Sequence, residues 1–97
     1  MSKHNEYPIK VLIDLWLKQQ FHIQRRIQEI EVVKSWPVVM GKMVAKHTAE
    51  VYIYQGALTV RLNSASLRQE LSYNKNKIMQ LLNDNVGGVV VKELILQ

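Results

Sequence analysis

Residues 51–62 read VYIYQGALTVRL, and this stretch carries the strongest fold signal in the sequence. Side chains alternate in character over 51–54 and again over 58–62, and Gln55-Gly56 separates the two runs. A period of two is typical of strands that bury one face, and a glycine-containing pair between them favours a tight turn. The sequence therefore predicts a β-hairpin with one buried face.

Upstream of the hairpin, apolar residues recur every three or four positions, which is typical of helices with one apolar side. We predict a helix over about 8–20 and a second helical pattern from about 23 onward. Pro37 should break or kink this second pattern, because proline cannot donate a hydrogen bond to the preceding turn. Ser35 is a candidate cap for a new turn that ends near residues 46–48.

Downstream of the hairpin, the serines of residues 64–66 are typical of a helix start. Apolar residues at helical spacing predict a third helix over about 65–84, with Asn74 as the one polar interruption of its apolar side. Gly87-Gly88 then ends the helix, and the last predicted strand runs over 89–96. The predicted order is α-α-β-β-α-β, which is an α+β fold with helices packed on one face of a three-stranded sheet.

The composition favours one folded domain over residues 1–97, with a loose stretch at residues 1–6. Hydrophobic residues make up 47% of the chain, which is enough for a core. Because there are no cysteines, disulfides and thiolate metal sites are excluded. No stretch resembles a membrane span or a secretion signal, so a cytoplasmic location is predicted.

Motifs for catalysis or for a bound cofactor are missing from the sequence. No serine lies in a G-x-S-x-G elbow, no glycine-rich loop could cradle a phosphate, and no carboxylate pair has a spacing that indicates acid–base catalysis. The three histidines, His4, His22 and His47, lack the spacing of metal ligands. We therefore predict a non-enzymatic protein with no cofactor, no metal and no small-molecule substrate.

The net charge of +5 favours an anionic partner, and nucleic acid is the commonest one. The candidate phosphate contacts are the cations of the second helical region, the hairpin and the third helix, namely Arg25, Arg26, Lys34, Lys42, Lys46, Arg61, Arg68, Lys75 and Lys77. If they converge on one surface, each contact steepens the salt dependence of binding. The alternative is a solvated surface on which Glu29, Glu31 and Glu70 pair with these cations.

The aromatic residues have competing interpretations. Tyr52, Tyr54 and Tyr73 could stack on bases, but packing beneath a helix or over a sheet edge is the favoured interpretation. Trp16 and Trp36 fall on the apolar sides of predicted helices, so core packing is expected for both. Trp36 could in addition contribute to a protein partner contact, since tryptophan is enriched at the energetic centres of interfaces.

An ordered set of short motifs resembles the DciA family. Residues 36–41, WPVVMG, resemble its W-x-x-(V/I)-(V/M)-G signature, and Ala45-x-His47-Thr48 follows as a small residue before H-T or H-S. Residues 56–62 and 63–71 continue the resemblance, which covers about half of the chain. The resemblance implies a KH-like fold, a role in loading or operating the replicative DNA helicase (DnaB type), and affinity for single-stranded or forked DNA.

Three features depart from what the resemblance implies. Leu67 stands where the family often has tryptophan, and the basic tail of longer members does not follow the last predicted strand. The GXXG loop, with which a KH module clamps a nucleic-acid backbone, is also missing.

The leading hypothesis is a replication factor that binds the helicase and DNA. The alternatives are a free-standing RNA- or single-stranded-DNA-binding module and a structural adaptor whose positive charge is incidental.

Overall fold

The computed structural model describes residues 8–97, so the loose stretch predicted at residues 1–6 lies outside the described residues. The elements in chain order are the helices α1 (Ile9–Met40) and α2 (Lys42–Lys46), the strands β1 (Thr48–Tyr54) and β2 (Ala57–Leu62), the helices α3 (Ala65–Ser72) and α4 (Lys75–Val86), and the strand β3 (Glu93–Leu96). The predicted α+β class is confirmed. The three-stranded sheet and the order of helices and strands along the chain are as predicted, but the helix bounds differ: the first helix is longer than expected and the third is divided into two.

The predicted hairpin is confirmed, and its second strand, β2, is the central strand of a mixed sheet. The strand order is β1-β2-β3, with β1 and β2 antiparallel and β2 and β3 parallel. Gln55 and Gly56 both have positive φ angles, 50° and 84°, which a tight turn between right-twisted strands requires. The Gly56 carbonyl then accepts hydrogen bonds from the backbone N–H groups of Lys92 and Glu93, so the turn fixes the point at which β3 begins.

The core lies between one face of this sheet and the helices. Leu58 and Val60 of β2 are fully buried, as are Val32 of α1 and Leu82 of α4. Burying an aliphatic side chain of this size stabilises a fold by about 1.5–3 kcal/mol. The opposite face of the sheet carries exposed residues such as Arg61, so the helices pack on one face as predicted.

The helices predicted over 8–20 and from 23 onward are a single helix, α1, which continues through Pro37. Ser35 does not cap a new turn, because its hydroxyl donates a hydrogen bond to the carbonyl of Val32 inside the helix. Burial of Val32 and Trp36 on the same side favours an unbroken helix and offsets the hydrogen bond that Pro37 cannot donate. The helix ends one turn later at Gly41, whose φ of 91° and ψ of 171° favour glycine.

The third predicted helix is divided into α3 and α4 at Tyr73 and Asn74. Ser64 begins α3, since its hydroxyl accepts a hydrogen bond from the backbone N–H of Leu67. Asn74, the polar interruption in the predicted apolar side, has a non-helical φ of −124° and immediately precedes α4. The interruption therefore marks a boundary between two helices.

The last strand is shorter than the predicted 89–96, because pairing begins only at Glu93. Val90 and Val91 lie before β3 and are buried. The side chain of Asn83 satisfies this buried backbone. Its Oδ1 accepts from the N–H groups of Val90 and Val91 at 3.0 and 2.8 Å, and its Nδ2 donates to the carbonyl of Val91 at 3.0 Å.

Replacing Asn83 by alanine removes these three bonds and leaves the N–H and the carbonyl of Val91 without these partners, whereas the Val90 N–H also donates to the Gly88 carbonyl at 3.1 Å. We expect Asn83→Ala to lower the free energy of unfolding by about 2–4 kcal/mol, because each unsatisfied buried group costs about 1–3 kcal/mol. Urea unfolding followed by circular dichroism measures this change. Asn85 is exposed on the same helix, so Asn85→Ala should change the stability by less than about 0.5 kcal/mol. Equal losses in the two variants would contradict this role for Asn83.

Candidate nucleic-acid interface

A groove runs between α1 and β1, which is one of the two edge strands of the sheet. Within residues 8–97, no other strand pairs with the outer side of β1. We call this space the edge groove; it has a volume of about 330 Å³ and is lined by Arg26, Glu29, Ile30, Val33, Lys34, Val51, Tyr52 and Ile53. It brings together two of the predicted cations, Arg26 and Lys34, at the strand edge that also carries Tyr52. Its aliphatic lining comes from both walls.

A second space, the turn cleft, lies on the other side of α1. It has a volume of about 560 Å³ and is lined by Phe21, Gln24, Arg25, Gln28, Glu29, Gln55, Gly56, Val89, Val90 and Lys92. Here the predicted cation Arg25 meets Lys92, which was not among the predicted contacts. Lys92 is the only cation in residues 89–96. Its position in an otherwise mostly apolar stretch was the one signal in the sequence that could have indicated it as a candidate contact.

Glu29 lies between the two spaces and lines both of them. Its side chain is buried, and among residues 8–97 no cation comes within ion-pairing distance of it. Arg25 and Arg26 precede it by four and three positions, so all three side chains lie on neighbouring parts of the helix surface. Neither space is therefore uniformly positive, because the same carboxylate contributes negative charge to each.

The remaining predicted cations lie elsewhere on the molecule. Lys42 and Lys46 lie on α2, Arg68 on α3, and Lys75 and Lys77 on α4. Arg61 lies on the open face of the sheet, where its guanidinium forms an ion pair with the Glu50 carboxylate.

This ion pair is the only one in the part of the chain that the structure describes. The alternative pairing of the cations with Glu29, Glu31 and Glu70 is therefore not found within residues 8–97. The structure places Arg25 and Arg26 in separate clefts, and it brings together only two of the nine predicted contacts, Arg26 with Lys34.

The tyrosines are more accessible than the favoured interpretation predicted. Tyr52 is 46% exposed and Tyr54 is 69% exposed on the open face of the sheet, so neither packs beneath a helix; both lie on β1, an edge strand, which leaves the second half of the favoured interpretation in place. No helix of the described chain covers that face at these positions. Tyr73 is also exposed, at the junction of α3 and α4, where its hydroxyl oxygen accepts a hydrogen bond from Gln69.

The two tryptophans have opposite environments. Trp16 was expected in the core, but it is 57% exposed, because α1 extends beyond the sheet and α4 over its N-terminal half. Trp36 lies in the core at 1% exposure. Its predicted contribution to a partner contact is therefore not supported by an accessible surface, and we do not include it in the interface.

The motif residues around Trp36 form a structural joint between α1, α2 and the sheet. The indole N–H of Trp36 donates to the hydroxyl of Thr48 at 3.1 Å, and that hydroxyl donates to the carbonyl of Val44 at 2.6 Å. Next to it, His47 Nδ1 lies 3.0 Å from Asn63 Oδ1, and the Asn63 N–H donates to the His47 carbonyl. These residues hold the ends of the two strands against the helices.

Metal sites and membrane spans are not found in the described part of the chain. Over residues 8–97, no group of three histidine, aspartate or glutamate side chains is arranged to hold a metal ion. The described helices include none that combines the length and the apolarity needed to cross a bilayer.

Comparison with models of protein families gives a match over residues 8–96. The matched family is described as "Dna[CI] antecedent, DciA". A search of curated proteins gives no match. The matched range includes every helix and strand that the structure describes.

The joint can be tested at Thr48, because valine has nearly the same shape but no hydroxyl. We expect Thr48→Val to lower the free energy of unfolding by about 1–3 kcal/mol, since the Trp36 N–H loses its acceptor. Thr48→Ser keeps the hydroxyl and removes only a methyl group, so a loss of about 1 kcal/mol or less is expected. Thermal and urea unfolding give both values. A serine variant as unstable as the valine variant would argue against the hydrogen-bonded joint.

Proposed function

Because the chain belongs to the DciA family, we propose that it is a non-enzymatic replication factor that binds the replicative DNA helicase (DnaB type) in the cytoplasm. In this role it promotes loading of the helicase onto single-stranded or forked DNA. The observation that carries the proposal is the family match over residues 8–96, since that family is related to helicase loading. The net charge of +5 supports an anionic partner in the same complex.

The edge groove is the surface that we propose for single-stranded DNA. Arg26 and Lys34 lie on its α1 wall, where their charges would attract backbone phosphates. Tyr52 lies where the groove meets β1, and its ring is on the open face of the sheet, where a base of a strand that crosses this edge could stack on it; such stacking is worth about 1–3 kcal/mol per base in proteins that bind single strands. Cations and an aromatic ring along one groove are typical of binding that tolerates many sequences.

Arg25 and Lys92 would act as a secondary electrostatic contribution from the turn cleft. They lie on the other side of Glu29, so a strand in the edge groove would not meet them directly. The cations on α2, α3 and α4 raise the overall positive potential without forming part of the proposed groove. Arg61 contributes least, because Glu50 already neutralises it.

The groove predicts a specific pattern of DNA affinities. The double variant Arg26→Ala, Lys34→Ala should weaken binding to single-stranded DNA and reduce the log–log salt slope by about 1.4, since each lost phosphate contact contributes about 0.7. Glu29→Gln should strengthen binding, because it removes the only carboxylate that lines the groove. Fluorescence anisotropy with an oligothymidine probe over a salt series measures both effects.

Arg61→Ala, Lys77→Ala is the matched control, because it also removes two positive charges, one from an ion pair and one from α4. It should change the affinity only slightly and leave most of the salt slope intact. If it weakens binding as much as the groove variant does, the DNA contact is not localised in the edge groove.

The helicase half of the proposal is tested by capture of the purified replicative helicase from the same organism. We expect the chain to retain the helicase at low and moderate salt, and the groove variant to retain it as well. Loss of capture under both conditions for the unaltered chain would contradict the helicase role. Strong DNA binding without any capture would instead favour the alternative, a free-standing nucleic-acid-binding module.

A further inference from the structure

The N-terminal half of α1 projects from the rest of the structure. The helix has 32 residues, but its buried residues all fall between Glu29 and Trp36. Residues 9–27 are exposed throughout, and the described chain measures 69 × 20 × 19 Å as a result. Helices in proteins owe most of their stability to the packing of an apolar side, so a projecting helix rich in exposed apolar residues indicates a missing partner.

The exposed apolar residues of this half follow a heptad repeat. Spacings of four and three alternate along one line of the helix, which we call the heptad stripe: Ile13, Gln20 and Ile27 at a positions, and Ile9, Trp16, Ile23 and Ile30 at d positions. Every apolar member is exposed, from 47% at Ile23 to 73% at Ile9. A repeat of 3.5 residues is typical of two helices that pack along each other.

The heptad stripe faces away from the folded core. Ile27 and Trp36 are nine residues apart, which places them about half a turn from each other around an α-helix. Trp36 points into the core at 1% exposure, whereas Ile27 is 51% exposed. A partner helix along the stripe would therefore approach the sheet only at Ile30, which also lines the edge groove, and the two folded cores would lie on the outer sides of the helix pair.

We propose that the heptad stripe pairs with the same stripe of a second copy of this chain, in a parallel and in-register two-stranded coiled coil. The e and g positions, which lie on either side of the stripe, form matching pairs between the two copies in that arrangement only. In a parallel pair, a g residue meets the e residue five positions later on the other helix. Leu12 would then meet Leu17 of the partner subunit, Gln19 would meet Gln24 of the partner subunit, and Arg26 would meet Glu31 of the partner subunit.

Gln20 fixes the orientation of the pair. In the parallel arrangement the two Gln20 side chains lie opposite each other, and their amides can form a hydrogen bond. In an antiparallel pair an a residue faces a d residue, so Gln20 would lie against tryptophan or isoleucine with its amide unsatisfied. A polar residue at a single a position specifies register in this way in parallel dimers. Residues 9–30 supply about 33 Å of contact at 1.5 Å per residue.

The pairing goes beyond the proposed function and does not depend on it. It would join two edge grooves in one particle, both near the C-terminal end of the coiled coil. Arg26 lies where the stripe meets the groove, so residues further toward the N-terminus separate the two roles. Trp16 and its neighbour Leu15 give a matched pair: both are exposed to nearly the same degree, 57% and 58%, but only Trp16 is on the stripe.

Sedimentation velocity of the full chain tests the pairing. We expect the unaltered chain and Leu15→Glu to sediment as dimers that dissociate on dilution, and Trp16→Glu to sediment as a monomer with its unfolding transition retained. A monomeric unaltered chain across the accessible concentrations would overturn the proposal. Loss of helicase capture by Trp16→Glu, with no change in sedimentation, would overturn it as well, because the stripe would then serve a different partner.

A single introduced cysteine tests the orientation, since the chain contains none. In the parallel register, Ile13→Cys places two thiols opposite each other, and mild oxidation should link most of the chains into a covalent dimer. Leu15→Cys places its thiols on the outer side and should yield little of this product. Dimers in which Ile13→Cys crosslinks no better than Leu15→Cys would overturn the parallel arrangement.

Discussion

The small apolar face of a three-stranded sheet limits how much helix this domain can bury. The helices pack on one side of the sheet, and the core that they form with it buries α1 only between Glu29 and Trp36. Val32 and Trp36 anchor the helix there, and Trp36 is further held by its hydrogen bond to Thr48. The rest of α1 is longer than the core can cover. The domain therefore presents an apolar helix that its own described residues leave exposed.

The sequence predicted the sheet better than the helices, for a physical reason. Two runs with a period of two, separated by Gln55-Gly56, fit few structures other than a β-hairpin. The hairpin was therefore placed correctly. Helix boundaries depend on tertiary packing, which local signals do not contain. Pro37 was expected to end a helix, but burial of Trp36 one residue earlier favoured continuation. Trp16 was expected in the core because apolar residues on one side of a helix have the same spacing whether their own chain or another chain covers them.

The candidate interface was predictable in part. Arg26 and Lys34 are eight residues apart and so lie on the same side of the helix about two turns from each other, but the sequence does not show that β1 forms the opposite wall. Lys92 enters the turn cleft through the hydrogen bonds that tie its backbone to the hairpin turn. Glu29, expected as an ion-pair partner, lies instead between the two clefts and limits their positive potential.

Hydrogen exchange along α1 would show whether the core covers only the end of the helix while a second copy covers the rest. Backbone amides of residues 30–40 should be protected at every protein concentration. Amides of residues 13–27 should be protected in concentrated solution and exchange much faster on dilution, because their protection depends on pairing. Rapid exchange of residues 13–27 at all concentrations, or protection that never responds to dilution, would contradict this division of the helix.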